Sequence, residues 1–197
     1  MIEESPFEAG GASLDLNPIG GLPVLVDVVE AGRVIVSEPR AILEYLDEVY
    51  AETDLMPDAP LDRAEARWAM GWLERGFDSD VNQTLLKERI VQRYLRAGRT
   101  DMGALRDGAL ALKGYMRHLE AIFAVRPYLA GENFTLADVC AAAHLSCLDY
   151  FGDVPWDAFA NTREWYMRMK SRRSFRSLLK DNLQGVAPAA HYSQLDF

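Results

Sequence analysis

The chain has 197 residues, 49% hydrophobic and 26% charged, a composition that excludes disordered and collagen-like classes and supports one large core or two smaller ones. No stretch approaches the roughly 20 uncharged apolar residues of a membrane span, and the first twenty residues carry four carboxylates and no basic group, the reverse of a secretory or transit signal, so a cytoplasmic protein is expected. The net charge of −9 is unevenly divided: residues 1–60 hold thirteen carboxylates against Arg33 and Arg40, and the rest of the chain is close to neutral, which argues against nucleic acid as a partner of the first part.

In chain order, the loop Asn17-Pro18-Ile19-Gly20-Gly21 opens a predicted strand over Leu22–Val29, and the turn Glu30-Ala31-Gly32 leads into a second over Arg33–Val36, together a hairpin signal. Ile42, Tyr45, Leu46 and Val49 then recur at helical spacing over Ala41–Tyr50, with Glu44, Asp47 and Glu48 assigned to the opposite face. Two prolines and three acids between Ala51 and Pro60 read as a linker. Asp62–Arg96 supports a long helix or a broken pair, with Trp68 and Trp72 one turn apart, Leu73, Phe77 and Val81 continuing the apolar stripe, and Gly76 and Asp78-Ser79-Asp80 as the place for a bend.

A further helix is predicted over Ala104–Val125. The next, Leu136–Tyr150, is apolar nearly all round and is expected at the centre of the core. Its start carries a capping-box pattern, Thr135 with Asp138 three residues on, and Phe134 placed to staple onto Val139. Helices over Ala158–Lys170 and Ser174–Lys180 precede an irregular tail. Cys140 and Cys147, seven apart on one predicted helix, lie about 10 Å from each other and are expected to be buried thiols without a disulfide.

A β-β-α unit with Leu22-Pro23 at its first strand, a proline-bearing linker, an all-helical second half and the string Phe134-Thr135-Leu136-Ala137-Asp138 together resemble the glutathione S-transferase superfamily. The resemblance implies an α+β chain. Residues 1–52 would be part of a thioredoxin-like domain, retaining its β-β-α portion, followed by a linker at 53–61, an all-helical domain at 62–185 and a tail at 186–197. It also implies a cis Pro23 that turns the Leu22 backbone outward to meet an extended peptide. In the family a strand, a helix and a second strand precede Asn-Pro, and they carry the Tyr, Ser or Cys that activates the glutathione thiol. That part would lie ahead of Met1, and no residue of this sequence stands out as a substitute, so the catalytic group is unknown.

By the same resemblance, Leu22, Pro23, Ser37 and Glu38 are the residues to hold glutathione, expected as a co-substrate and not as a tightly bound cofactor. The family's acid-Ser pair at a helix N-terminus becomes Glu38-Pro39 here, which removes a hydroxyl and one N–H while keeping a favourable helix start. Ser37 either supplies a hydroxyl in its place or acts, like Glu38, as a cap. Trp68 and Trp72 would wall an apolar co-substrate site.

The strings from His144 to Tyr150, Gly152 to Trp156, Trp165-Tyr166 to Arg172 and His191 to Phe197 look like a bacterial branch of the superfamily whose members are dimeric scaffolds on the cell-division filament protein FtsZ. That implies a homodimer and, as the favoured function, a non-catalytic adaptor, with conjugation of glutathione to small electrophiles as the alternative. Candidate partner surfaces are Phe7, the trio Lys87, Glu88 and Arg89, and the tail Leu195, Asp196 and Phe197, which either anchors a partner or folds back on its own domain. His118, His144 and His191 are scattered singly, so no metal site is expected, and no phosphate loop or nucleophile elbow is present.

Overall fold

The computed structural model describes residues 13–17, 22–50, 52, 54–90, 100–183 and 185–197. The chain forms two compact units, Met1–Met56 and Pro57–Phe197. Among the described residues, no helix is long and apolar enough to cross a membrane.

The first unit holds a short helix α1 (Ser13–Leu16), an antiparallel hairpin of β1 (Val24–Val29) and β2 (Gly32–Ser37), and α2 (Pro39–Tyr50). Val24 faces Ser37 and Val29 faces Gly32, so the loop is Glu30-Ala31, and Gly32 takes φ +124, which a glycine reaches at little cost. The ladder starts two residues later than the sequence pattern suggests, and the Leu22-Pro23 peptide just ahead of it is cis. One face of α2 also differs from expectation. Asp47 is buried while Val49 is half-exposed, because the Asp47 carboxylate accepts the backbone N–H groups of Leu55 and Met56 at 2.8 and 2.9 Å. A charged residue read as solvent-facing thus ties down the chain that follows the helix.

The second unit is helical. Pro60 opens α3 (Pro60–Gly71), a position where its missing N–H is no loss. The helical run continues unbroken through Gly76 and Asp78-Ser79-Asp80 as a π-helix over Trp72–Leu86. Leu73, Phe77, Val81 and Leu85 are all buried at a constant spacing of four. Against this stripe packs α4 (Met102–Phe123), capped by Asp101, whose carboxylate accepts from Gly103 and Ala104 N–H. Gly108 makes the approach possible: a Cβ there would lie 2.8 Å from Leu85 Cβ and 2.9 Å from its backbone nitrogen.

The central α5 (Leu136–Phe151) starts on its capping box and ends at Gly152 with φ +73. Its apolar surround is incomplete. Cys140 is buried, but Cys147 is exposed, since positions 143 and 147, one turn apart, face away from the core. The predicted helix from Ala158 resolves into a 3-10 turn (Trp156–Ala158) and α6 (Ala160–Ser171), and the stretch ending at Lys180 is a 3-10 turn (Phe175–Lys180). The start of α6 is capped from another element. Glu120 of α4 accepts from Asn161 N, Asn161 Nδ2, Thr162 N and Thr162 Oγ1 at 2.7–3.0 Å. Partial burial would raise its pKa, but these donors outweigh that and hold it below the ordinary carboxylate value.

Candidate functional site

In the first unit, Leu22-Pro23 leads into β1, and Ser37, at the end of β2, lies opposite Val24. Glu38 takes φ +80, the left-handed region that non-glycine residues adopt at a cost of about 1–3 kcal/mol, and its carbonyl accepts the Ile42 N–H at 3.0 Å. Pro39 is the first residue of α2. The helix N-terminus therefore offers one backbone donor fewer than a serine there would give, and no hydroxyl. The arrangement retains the fixed backbone of an anion-binding helix start and loses part of its donor set.

Asp27 and Tyr50, which the sequence reading did not single out as partners, meet on this hairpin. Asp27 Oδ2 accepts from Tyr45 Oη at 2.7 Å and Tyr50 Oη at 2.5 Å. The Tyr50 and Tyr45 hydrogen bonds hold the Asp27 carboxyl below its ordinary value, and Asp27 in turn pushes Tyr50 up to about 12.

In the helical unit Trp68, 62% exposed, stacks parallel to Trp72 at 6.3 Å, and the series continues inward through Tyr115, Phe77 and His144. Gly76 makes room for this series, since a Cβ there would fall 2.6 Å from Tyr115 Oη. Tyr115 Oη donates to Asp80 at 2.9 Å. His144 Nδ1 accepts from Asn82 Nδ2 at 2.9 Å, and burial lowers its pKa against the opposing charges of Asp78 and Glu74. His144 is thus a bonded histidine of the interior, and among the described residues no group of His, Cys, Asp and Glu is arranged to hold a metal.

Thr135 Oγ1 accepts from Ala137 N–H, and Asp138 returns a bond to Thr135 N–H at 3.0 Å. Asp138 does more than close the box. Fully buried, it also accepts from Leu129 N–H at 2.9 Å and Trp165 Nε1 at 3.0 Å, tying the preceding loop and α6 to the central helix. Burial raises its pKa and these donors partly offset the rise.

Of the surface candidates, Arg89 is engaged with Asp153 through two contacts of 2.5 and 3.1 Å, and Glu88 accepts the Asp101 N–H at 3.0 Å. Lys87 is exposed. Phe7 lies outside the described residues. The tail folds back on its own unit: the Phe197 ring lies 5.1 Å from His191, 5.4 Å from Trp156 and 6.3 Å from Tyr166, while Asp196 is exposed.

Beneath the tail is a polar group absent from the list of sequence candidates. Asp149 Oδ1 accepts from Trp156 Nε1 and His191 Nε2, each at 2.7 Å, and Lys170 Nζ stands 3.7 Å from Asp149 Oδ2 with both side chains fully buried. An acid near the end of a helix apolar on most faces is the signal that points to such a pair. It sets no partner by itself, because Lys170 and His191 are brought to Asp149 only by the packing of α6 and the tail.

Residues 106–173 match the profile of the glutathione S-transferase C-terminal domain. The chain is similar to FtsZ-localized protein A of Caulobacter vibrioides, 47% identical over 182 residues that cover 92% of this chain and 80% of the relative. The solved structure of FzlA from C. crescentus aligns over 100% of this chain and 87% of its own with a TM-score of 0.95 and 44% identity. A glutathione S-transferase from Rhodospirillum rubrum F11 aligns over 98% and 86% with a TM-score of 0.91 and 37% identity.

Proposed function

The chain belongs to the glutathione S-transferase superfamily, in the branch typified by FtsZ-localized protein A, and we propose that it is a dimeric adaptor that binds FtsZ filaments without conjugating glutathione. The observation that carries this reading is the likeness to FtsZ-localized protein A, 47% identical across 92% of the chain. The Glu38-Pro39 junction supports it from the side of chemistry. A site for the γ-glutamyl end of glutathione depends on N–H and hydroxyl donors converging at the start of α2, and proline supplies neither. Glutathione would be held weakly, through the Leu22 backbone and Glu38.

For a filament partner, Lys87 and the exposed Asp196 provide charge at the surface. Arg89 and Glu88 act as struts that fix the helix presenting Lys87. The division between an acidic first part, residues 1–52, and a nearly neutral helical part, residues 62–185, suits an association in which unlike parts of two protomers meet.

Cosedimentation with polymerised FtsZ tests the reading directly. The protein is expected to pellet with polymer and to stay in the supernatant when polymerisation is prevented. Failure to pellet, together with turnover of a generic electrophile in the presence of glutathione, would establish the transferase alternative instead.

A further inference from the structure

Lys170 is a cation with no exposed surface, and the ring nearest its ammonium belongs to Phe197. The nitrogen lies 4.2 Å from the Phe197 centroid, 5.6 Å from Tyr166 and 5.9 Å from Tyr192. Its donated bonds are few for an ammonium: it reaches the His191 carbonyl at 3.1 Å and stands at 3.7 Å from Asp149 Oδ2. Much of what replaces water around this charge is therefore aromatic faces, a role that rings fill well when desolvated.

The segment that supplies the nearest ring is fastened differently from the residues just before it. Tyr150 Oη donates to the Val186 carbonyl, Ala189 N–H donates to the Tyr150 carbonyl, Tyr192 shares a bond with Ser146, and Gln194 N–H reaches the His191 carbonyl. Beyond Gln194 the described contacts are those of the Phe197 ring. Two adjoining cavities of about 440 Å³ each flank that ring, both bounded by Trp156, Asp157 and Arg163. The ring thus stands as a partition in one groove, with the Arg163 guanidinium 5.3 Å and the Lys170 ammonium 4.2 Å from its centroid.

We propose that Leu195-Asp196-Phe197 is a detachable latch, an intramolecular ligand for a groove of the helical unit that recognises a short peptide by its aromatic residue. His191 stacks on the aromatic ring and Trp156 meets it edge-on, while Arg163, paired with Asp157 at 3.8 Å, and the buried Lys170 lie over its faces. The occupant is the chain's own segment, and its local concentration keeps the groove filled against free peptides. The latch stands independently of whether FtsZ is the partner.

The test uses the full chain with Phe197→Ala and an amidated peptide of sequence Ser-Gln-Leu-Asp-Phe. Two readouts are taken: calorimetric binding of the peptide, and acylation of Lys170 by an amine-reactive ester, located by mass spectrometry. The expected result is a folded variant in which Lys170 becomes acylated, is protected again by the peptide, and binds it roughly tenfold or more tightly than the unaltered chain does. A peptide with alanine in place of its phenylalanine should neither bind nor protect. Loss of the fold in Phe197→Ala would make the ring a permanent core residue and overturn the proposal. So would a folded variant whose Lys170 stays unreactive, or one that ignores the peptide.

Discussion

In the helical unit charge is taken inside and bonded across elements, whereas in the hairpin unit Asp27 stays at the surface and two phenols come out to it. Asp138 and Asp149 are both without exposed surface, and each holds a side chain distant in sequence, Trp165 and His191 respectively. Asp27 instead links β1 to α2 through Tyr45 and Tyr50, the latter 55% exposed. The same residue type therefore carries different weight. A buried carboxylate whose donors lose it leaves several unsatisfied polar groups, while a surface one leaves groups that water can serve.

The largest effect is expected from Asp138→Ala, which orphans the Leu129 and Thr135 N–H groups and Trp165 Nε1. A loss of about 3–5 kcal/mol in urea unfolding is expected, and a loss below 1 would place the two units on the same footing. Gly108→Ala comes next, at about 1–3 kcal/mol, because the new methyl meets the Leu85 backbone, which cannot rotate away. Gly76→Ala should cost less, since the atom it meets is the far end of Tyr115. Its signature would be a loosened Tyr115–Asp80 bond, read as a fall of the Tyr115 pKa from about 12.

Arg89→Ala is expected to cost at most about 1 kcal/mol, as exposed ion pairs do even with two contacts. Such a variant folds normally and shows in the FtsZ pelleting assay whether orienting this helix matters.

The smallest expected effect is local and concerns pH. The Asp27 carboxyl is held below its ordinary value of 3.8, so the stability it lends the hairpin is present above that value and lost as pH falls through the lower folded midpoint. Asp138 has the opposite sign. Its pKa is raised, so ionising it detracts from stability as pH rises from 3.8 through the folded midpoint. Carboxyl titration by NMR should show the two midpoints on opposite sides of 3.8. Asp27→Asn should also bring Tyr50 down from about 12 toward 10.0, measured by phenolate absorbance, with little change in global unfolding.

Local patterns made much of the architecture legible. The hairpin is announced by alternating valines around Glu30-Ala31-Gly32, and the central helix by Thr135 and Asp138, because turn chemistry and capping act within a few residues. The π-helix was not legible, because the spacing of four from Leu73 to Leu85 fits an α-helical stripe about as well. Asp47 was assigned to the wrong face because its partners, the N–H groups of Leu55 and Met56, are backbone atoms that no side-chain pattern reveals.

The sequence by itself determined the family, the order of elements, and the replacement of a hydroxyl by Pro39 at the start of α2, all matters of residue identity and short spacing. Only the tertiary structure decided that Arg89 is committed to Asp153, and that Lys170 and His191 converge on Asp149 beneath Phe197. Those contacts span 64, 21 and 42 residues of chain, and which buried charges meet over such separations is set by how the helices pack.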